Sequence, residues 1–361
     1  MDCIIIGGGI SGLLCARELA AGGFRVRVIE RNTVGSEASW AGGGILSPLY
    51  PWRQPLAVQN LSLWSHEYYP KLAQSLKQST GIDPQWNRCG LLWLDLPDLD
   101  VASAWCRRQH MCCETPDQDK VNRIQPGLRI PDEEPHLWLS GIAQIRNPRL
   151  LKALKQELES KGVDILERSP VIHWQIRNNK VVSIDLPQEN LKADLFLIAA
   201  GAWSAKIGPE NFWSPDIHPV KGQMLLFRAR PGLLGTMVQL GEHYLIPRLD
   251  GRILAGSTVE KADFDKRPTS QAYDRLYRFA VNLLPALADF PVEAHWAGMR
   301  PEAPKGIPYI GPHPQLENLY YDCGHFRNGV VMAPAAARLL ADLVLHRAPI
   351  VDPAPYLPIN R

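Results

Sequence analysis

Residues 2–30 read DCIIIGGGISGLLCARELAAGGFRVRVIE, and this stretch decides the fold. Cys3-Ile4-Ile5-Ile6 is a short apolar run, broken at Gly7-Gly8-Gly9-Ile10-Ser11-Gly12. Leu13 to Ala21 then reads as a helix, and a second apolar run, Val26 to Ile29, ends on Glu30. Strand, glycine turn, helix, strand and acid in that order are the dinucleotide-binding fingerprint in its confirming context. Gly7 makes the tight turn, Gly9 lets backbone approach a pyrophosphate, and Gly12 lets helix pack on strand. The helix N-terminus offers unpaired N–H groups and a partial positive charge to the phosphates. Glu30 lies 18 residues past Gly12, near the usual ~20, where a carboxylate accepts from ribose hydroxyls and repels a 2′-phosphate. The competing reading is a glycine-rich turn of an unrelated α/β protein, which needs neither the second strand nor the acid. Fingerprint and acid suit NAD and FAD equally.

The rest of the composition narrows the class. At 361 residues the chain is long for one core, so two domains are expected. A net charge of +2 gives no reason for a nucleic-acid or anionic-membrane partner. No apolar run approaches the ~20 residues of a membrane span. The N-terminal run lacks a basic lead and is cut by glycines, so it reads as a structural strand and not a signal peptide. Cys3, Cys15, Cys89, Cys106, Cys112, Cys113 and Cys323 form no CxxC pair and no ligand spacing with histidine. Unframed and odd in number, they point to reduced thiols in a cytoplasmic protein with no metal site.

Along the chain, Ala41-Gly42-Gly43-Gly44-Ile45 cannot be a helix or strand interior. It is either a flexible loop or backbone passing beside a flat ligand. Leu56 to Leu76 is helical with an interruption at Pro70, and residues 81–141 change character into short apolar runs with many prolines. Asn147-Pro148 reads as an N-cap and N1 proline, with Leu150, Leu151, Leu154 and Leu158 on one face. Leu195 to Ile198 is a buried strand ending in Ala199-Ala200-Gly201, a second candidate approach to a dinucleotide. Strand-like segments follow at Pro219 to Phe227, Tyr244 to Pro247 and Arg252 to Gly256. A helix is expected from about Pro334, with proline at N1.

Taken together, these segments resemble the D-amino-acid-oxidase family of flavoproteins, and most closely its glycine oxidases of thiamin biosynthesis. The matching stretches are Gly7 to Gly12 with Glu30-Arg31, Ala38 to Leu46, Pro219 to Gln223, Tyr244 to Arg248, Trp296 to Pro301, Pro308 to Gly311 and Gly324 to Val331. They span nearly the whole chain in family order. The resemblance implies an α/β fold in which a Rossmann-like FAD-binding domain (residues 1–80, 142–214 and 297–361) interleaves with a mostly antiparallel-sheet substrate domain (81–141 and 215–296). It implies FAD contacts at Ile10, Ser11, Glu30, Arg31, Ala38, Ser39, Gly43, Gly44, Ile45 and Val171. The same expectation covers His325, Phe326, Arg327, Asn328, Gly329, Val330 and Val331. Substrate ligands fall on Arg300 and Tyr244, with Arg327 nearby. Members that link flavin covalently at the ring use a cysteine close to the Arg300 position; here Gly298, Met299 and Pro301 stand there, so non-covalent FAD is implied. Val259 replaces a pocket-wall methionine and Glu242 a histidine.

The implied chemistry is hydride transfer from the Cα of glycine or a similar small amino acid to flavin N5, with O2 as acceptor. Alignment then matters more than acid–base groups. A guanidinium such as Arg300 fixes a carboxylate through two parallel hydrogen bonds, against the ordinary alternative of a structural ion pair. No histidine has a carboxylate partner visible in the sequence. Rival readings are a D-amino-acid dehydrogenase passing electrons to quinone, a tRNA-modifying flavin module, and a non-catalytic dinucleotide sensor. A homo-oligomer is compatible with all of them.

Overall fold

The computed structural model describes residues 1–130 and 135–360. Residues 131–134, within the 81–141 segment expected to belong to the substrate domain, and Arg361 lie outside the described residues.

Alternation in the first strand builds the layers. Asp2–Ile6 is central in a six-stranded sheet ordered Tyr309–Pro312, Leu319–Cys323, Leu195–Ile198, Asp2–Ile6, Arg25–Ile29, Asp164–Leu166. All neighbours are parallel except Tyr309–Pro312, which runs antiparallel. Successive side chains point to opposite faces. Cys3 and Ile5 therefore join a core with the helices Ile10–Ala21, Leu56–Thr80, Asn147–Ser160 and Gly329–Val344. Ile4 and Ile6 face the other way, onto Trp174, Val181 and Ile184 of an antiparallel three-stranded sheet, His173–Arg177, Lys180–Asp185 and Asn190–Leu191. Burial on both faces explains why the strand reads as a continuous apolar run. Each fully buried isoleucine contributes about 1.5–3 kcal/mol relative to exposure.

A second, eight-stranded sheet follows the same rule. Its path runs Glu260–Lys261, His218–Phe227, Ile253–Gly256, His243–Pro247, Met237–Leu240, Leu91–Leu94, Leu137–Leu139, with Val292–Glu302 also paired to His218–Phe227. Only the Met237–Leu240 and Leu91–Leu94 pair is parallel. Leu225, Phe227 and Leu245 pack one face under the helix Ser270–Leu283, while Met224, Tyr244 and Ile246 pack the other. The expected division at 296/297 cuts the Val292–Glu302 strand, whose pairing continues through Arg300 opposite Val220 to Glu302 opposite His218. Backbone pairing therefore carries residues 297–302 with the second sheet.

Three local expectations change. The last helix starts at Gly329, not Pro334, and runs through the proline. It survives because the groups that Pro334 frees find partners on Leu56–Thr80: the Tyr69 hydroxyl donates to Val330 O, and the Ser65 hydroxyl accepts from Ala335 N at 3.0 Å. Leu56–Thr80 itself continues through Pro70 as one helix. Asn147 is the first residue of its helix and not the cap, which is Arg146.

Candidate active site

A cavity of about 810 Å³ opens where the parallel strands end, lined by Ile6, Ile29 and Ala199 from three adjacent strand ends. This is the crevice where open parallel sheets place ligands. Its volume lies within the range of pockets that enclose small molecules and cofactors.

At one end the glycine turn is built as its spacing requires. Gly7 has φ +118°, and a Cβ there would sit 2.3 Å from Ala199 O. A Cβ on Gly12 would meet Gly7 O at 1.9 Å, so Gly12 serves helix-to-strand packing and does not line the cavity. Gly7, Gly9, Ile10 and Ser11 do line it, as do Glu30, Arg31, Ala38 and Ser39. No side chain caps the Ile10–Ala21 helix, although the Ser39 hydroxyl accepts from Ile10 N at 3.0 Å. The Glu30 carboxylate is buried and already engaged, accepting from Gly8 N at 2.8 Å and Asn32 N at 2.9 Å. It braces the turn and keeps further lone pairs for a ligand. Val171 and Gly201 complete this end.

Arg31 lies with its guanidinium carbon 3.7 Å from the Trp203 ring centre. Trp203 lines the cavity too; no motif singled it out, because its partner is 172 residues away.

The other end is assembled from distant strands. Arg300 and Arg327 line the cavity with His325, Phe326, Gly329 and Val330, whereas Asn328 and Val331 stand behind that wall. The guanidinium of Arg300 lies flat on Gly222, where a Cβ would come within 2.3 Å of Cζ, Nη1 and Nη2. Nη1 donates to Thr258 O at 3.0 Å and Lys221 O at 3.4 Å, and Nη2 to Ser257 Oγ at 2.8 Å. Every acceptor is neutral. Among the described residues no carboxylate lies within ion-pair distance of Arg300. Burial pushes its guanidinium below the ordinary arginine range, and the neighbouring Tyr244 hydroxyl opposes that shift.

Tyr244 itself is buried and does not line the cavity. Its ring is flanked by two glycines: a Cβ on Gly43 would lie 3.3 Å from it, and one on Gly256, 2.8 Å. Gly43, Gly44 and Ile45 likewise pack beneath the wall, where Gly44 (φ +78°) abuts Ile145 O and Ile45 bridges to Gln144. Two residues to which the sequence assigned no part in the site hold this glycine run. Arg248, half-buried, donates to Gly43 O at 2.8 Å and Ile145 O at 3.1 Å, and desolvation together with Arg146 pushes its guanidinium down to about 10. The Asn147 amide donates to Ser39 O at 2.9 Å and Gly42 O at 3.0 Å. Its work lies in that loop, which is why the capping signal misled.

Two histidines do meet carboxylates: exposed His218 Nε2 lies 2.8 Å from Asp216 Oδ1, and a second pair is buried beside the cavity. His325 Nε2 lies 3.1 Å from Asp322 Oδ1, both buried, though without hydrogen-bond geometry. The Cys15 thiol donates to the other Asp322 oxygen at 3.2 Å. Among the described residues no cluster suits a metal ion, Cys3, Cys15, Cys89, Cys106, Cys112 and Cys113 carry free thiols, and no helix is long and apolar enough to cross a membrane.

A family model described as FAD dependent oxidoreductase (DAO) matches residues 2–343. The chain belongs to this family. A glycine oxidase of Pseudomonas aeruginosa is 45% identical over 359 residues, covering 99% of this chain and 98% of its own. The crystal structure of glycine oxidase from Geobacillus kaustophilus superposes with a TM-score of 0.93 at 30% identity, covering 99% and 97%. The bifunctional protein ThiO/ThiG of Synechocystis is 33% identical over 354 residues, 95% of this chain but 51% of that protein, so the chain spans about half of it. The glycine turn, the braced acid and the crevice fit the FAD that this family carries.

Proposed function

We propose that this FAD-dependent amino-acid oxidase oxidises glycine or a similarly small amino acid, such as sarcosine or D-alanine, to the imine, which water then hydrolyses with release of the amine or ammonia. The observation that carries the reading is Arg300: half-buried at the cavity wall, preoriented on Gly222 and within ion-pair distance of no carboxylate among the described residues. A cation drawn partly out of water is costly unless an anion joins it, and the carboxylate of an amino acid is such an anion. When bound, FAD would supply the hydride-accepting chemistry, with O2 as the terminal electron acceptor giving H2O2.

The chain's own residues do the rest. Thr258 O, Lys221 O and Ser257 Oγ hold the Arg300 fork so that a carboxylate docks in one orientation. Tyr244 supports that fork from behind. Gly7, Gly9, Ile10, Ser11, Glu30 and Arg31 hold the nucleotide half, with Val171 and Gly201 beside them. The Gly43–Ile45 backbone and residues 325–331 serve the ring half, where the start of Gly329–Val344 places a positive helix end. FAD is held non-covalently, in keeping with Met299 and Pro301 beside Arg300. In this reading 1–80, 142–214 and the residues after 302 carry FAD, and the eight-stranded sheet carries the substrate side. Likeness to glycine oxidases over the whole chain, and to about half of ThiO/ThiG, supports a role supplying thiazole synthesis in thiamin biosynthesis. Free thiols at Cys3, Cys15, Cys89, Cys106, Cys112 and Cys113 suit the cytoplasm.

The test is an absorption spectrum of purified protein followed by anaerobic addition of glycine, sarcosine and D-alanine. Bleaching by one of them, return of colour with O2 and H2O2 formation are expected, with flavin released on acid precipitation. Turnover with dyes but not O2 refutes the oxidase reading.

A further inference from the structure

Glu242 occupies the short connection between Met237–Leu240 and His243–Pro247, on the hairpin that also carries Tyr244. Its carboxylate accepts from Arg327 Nη1 at 2.7 Å, while Arg327 Nη2 is buried without a partner. Arg327 lines the cavity beside Arg300. Two guanidinia thus share this end, one carrying a carboxylate and the other none. The pair adds little to folding: the Glu242 side chain is 60% exposed and that of Arg327 23%, and exposed pairs hold proteins together only weakly. Its consequence lies in the charge that the site presents.

We propose that Glu242 is a specificity-determining residue that limits the substrate to a single carboxylate. By occupying Arg327 it leaves Arg300 as the one uncompensated guanidinium of the pair, and it places a negative charge where a second carboxylate would arrive. Iminodiacetate or D-aspartate, docked by one carboxylate on Arg300, meets repulsion at the other. Glycine, sarcosine and D-alanine carry nothing there. The inference rests on reading Arg300 as the carboxylate ligand. Like charges about 6 Å apart, in surroundings between water and a protein surface, discriminate by a factor of roughly 3–100. The discrimination should shrink as salt screens the half-exposed pair.

The experiment uses the holoenzyme as wild type, Glu242→Gln and Glu242→Lys, a charge series at one exposed position. Two readouts are taken: dissociation constants of acetate and malonate from perturbation of the flavin spectrum, and kcat/KM for glycine and iminodiacetate. The malonate-to-acetate and iminodiacetate-to-glycine preferences should both rise at least threefold in Glu242→Gln and further in Glu242→Lys. If Glu242 only steers Arg327 onto the substrate, both members of each pair weaken together and the ratios stay within threefold, which overturns the proposal. A wild type that binds acetate no better than acetamide shows instead that the Arg300 reading is at fault, and the proposal falls with it.

Discussion

At the Glu30 end the glycine turn and the acid lie between Gly7 and Ser39, as backbone atoms braced by one buried carboxylate, and residues 169–176 and 199–212 close the wall around them. At the Arg300 end the wall comes from Val292–Glu302 and the turn after Cys323, and the cation is oriented by the His218–Phe227 strand and the loop after Gly256. The turn and acid of the first end are fixed by a local chain path. The other depends on the register of a sheet whose partners are scores of residues apart: Arg300 reaches Gly222 because it sits opposite Val220 in an antiparallel ladder. The two ends should therefore fail separately, losing cofactor at one and substrate at the other.

The sharpest break is Arg300→Lys. The ammonium keeps the charge but loses the planar fork, and damaging a buried charge contact costs roughly 2–5 kcal/mol. We expect kcat/KM for glycine to fall about 10²–10³-fold, through KM first and through kcat if Cα drifts from its acceptor. FAD affinity should be unchanged, because the Glu30 end is untouched. Steady-state kinetics beside a flavin titration measure both; full efficiency on amino acids would remove Arg300 from the site.

Glu30→Ala attacks the opposite end. It leaves Gly8 N and Asn32 N without their acceptor and would remove the proposed contact with the cofactor. A lost charge-assisted hydrogen bond is worth about 1.5–3 kcal/mol, so reconstitution of apo-protein should show FAD binding weakened roughly 10–100-fold. At saturating FAD, KM for glycine should stay near the wild-type value. A KM that moves with the FAD constant would show the ends to be coupled.

How much of this was legible follows the same divide. The parallel sheet, the glycine turn and Glu30 were readable because consecutive residues encode them. Arg300 was readable only through resemblance, since the acceptors that orient it come from strands paired across the fold. Pro334 misled because its rescue by Tyr69 and Ser65 comes from another helix. Asn147 misled because the same residue type caps helices and clamps loops, and only the nearby Ser39 and Gly42 carbonyls decide between them. Trp203 and Arg248 stood in quoted stretches, but no local signal gave either its role, because their partners lie far along the chain.

Gly222→Ala tests the register claim without touching a charged group. The new Cβ would lie 2.3 Å from the guanidinium, and overpacking typically costs about 1–3 kcal/mol. Arg300 should be lifted from its seat and kcat/KM for glycine should drop roughly tenfold, again with FAD affinity intact. An unaltered KM would mean that Arg300 finds an equivalent pose without that support.

The smallest expected effect sharpens the comparison where the two regions touch. Residues 262–269, leaving the eight-stranded sheet, cross to the Glu30 end. Phe264 packs on Trp203 with ring centres 5.0 Å apart, and Lys206 Nζ lies 4.2 Å from the Phe264 ring centre. Lys266 Nζ reaches both Glu37 oxygens, at 2.9 and 3.0 Å. Because Glu37 and Trp203 line the cavity, loosening this crossing should speed loss of FAD and leave the Arg300 end alone. The Lys266 side chain is 41% exposed, so Lys266→Ala should cost no more than about 1 kcal/mol, less than about fivefold in the FAD dissociation rate. That difference should vanish at high ionic strength, where the pair is screened. Stopped-flow release of FAD at low and high salt reads it. A salt-independent change, or a change in KM for glycine with none in FAD release, would assign the crossing to the substrate side instead.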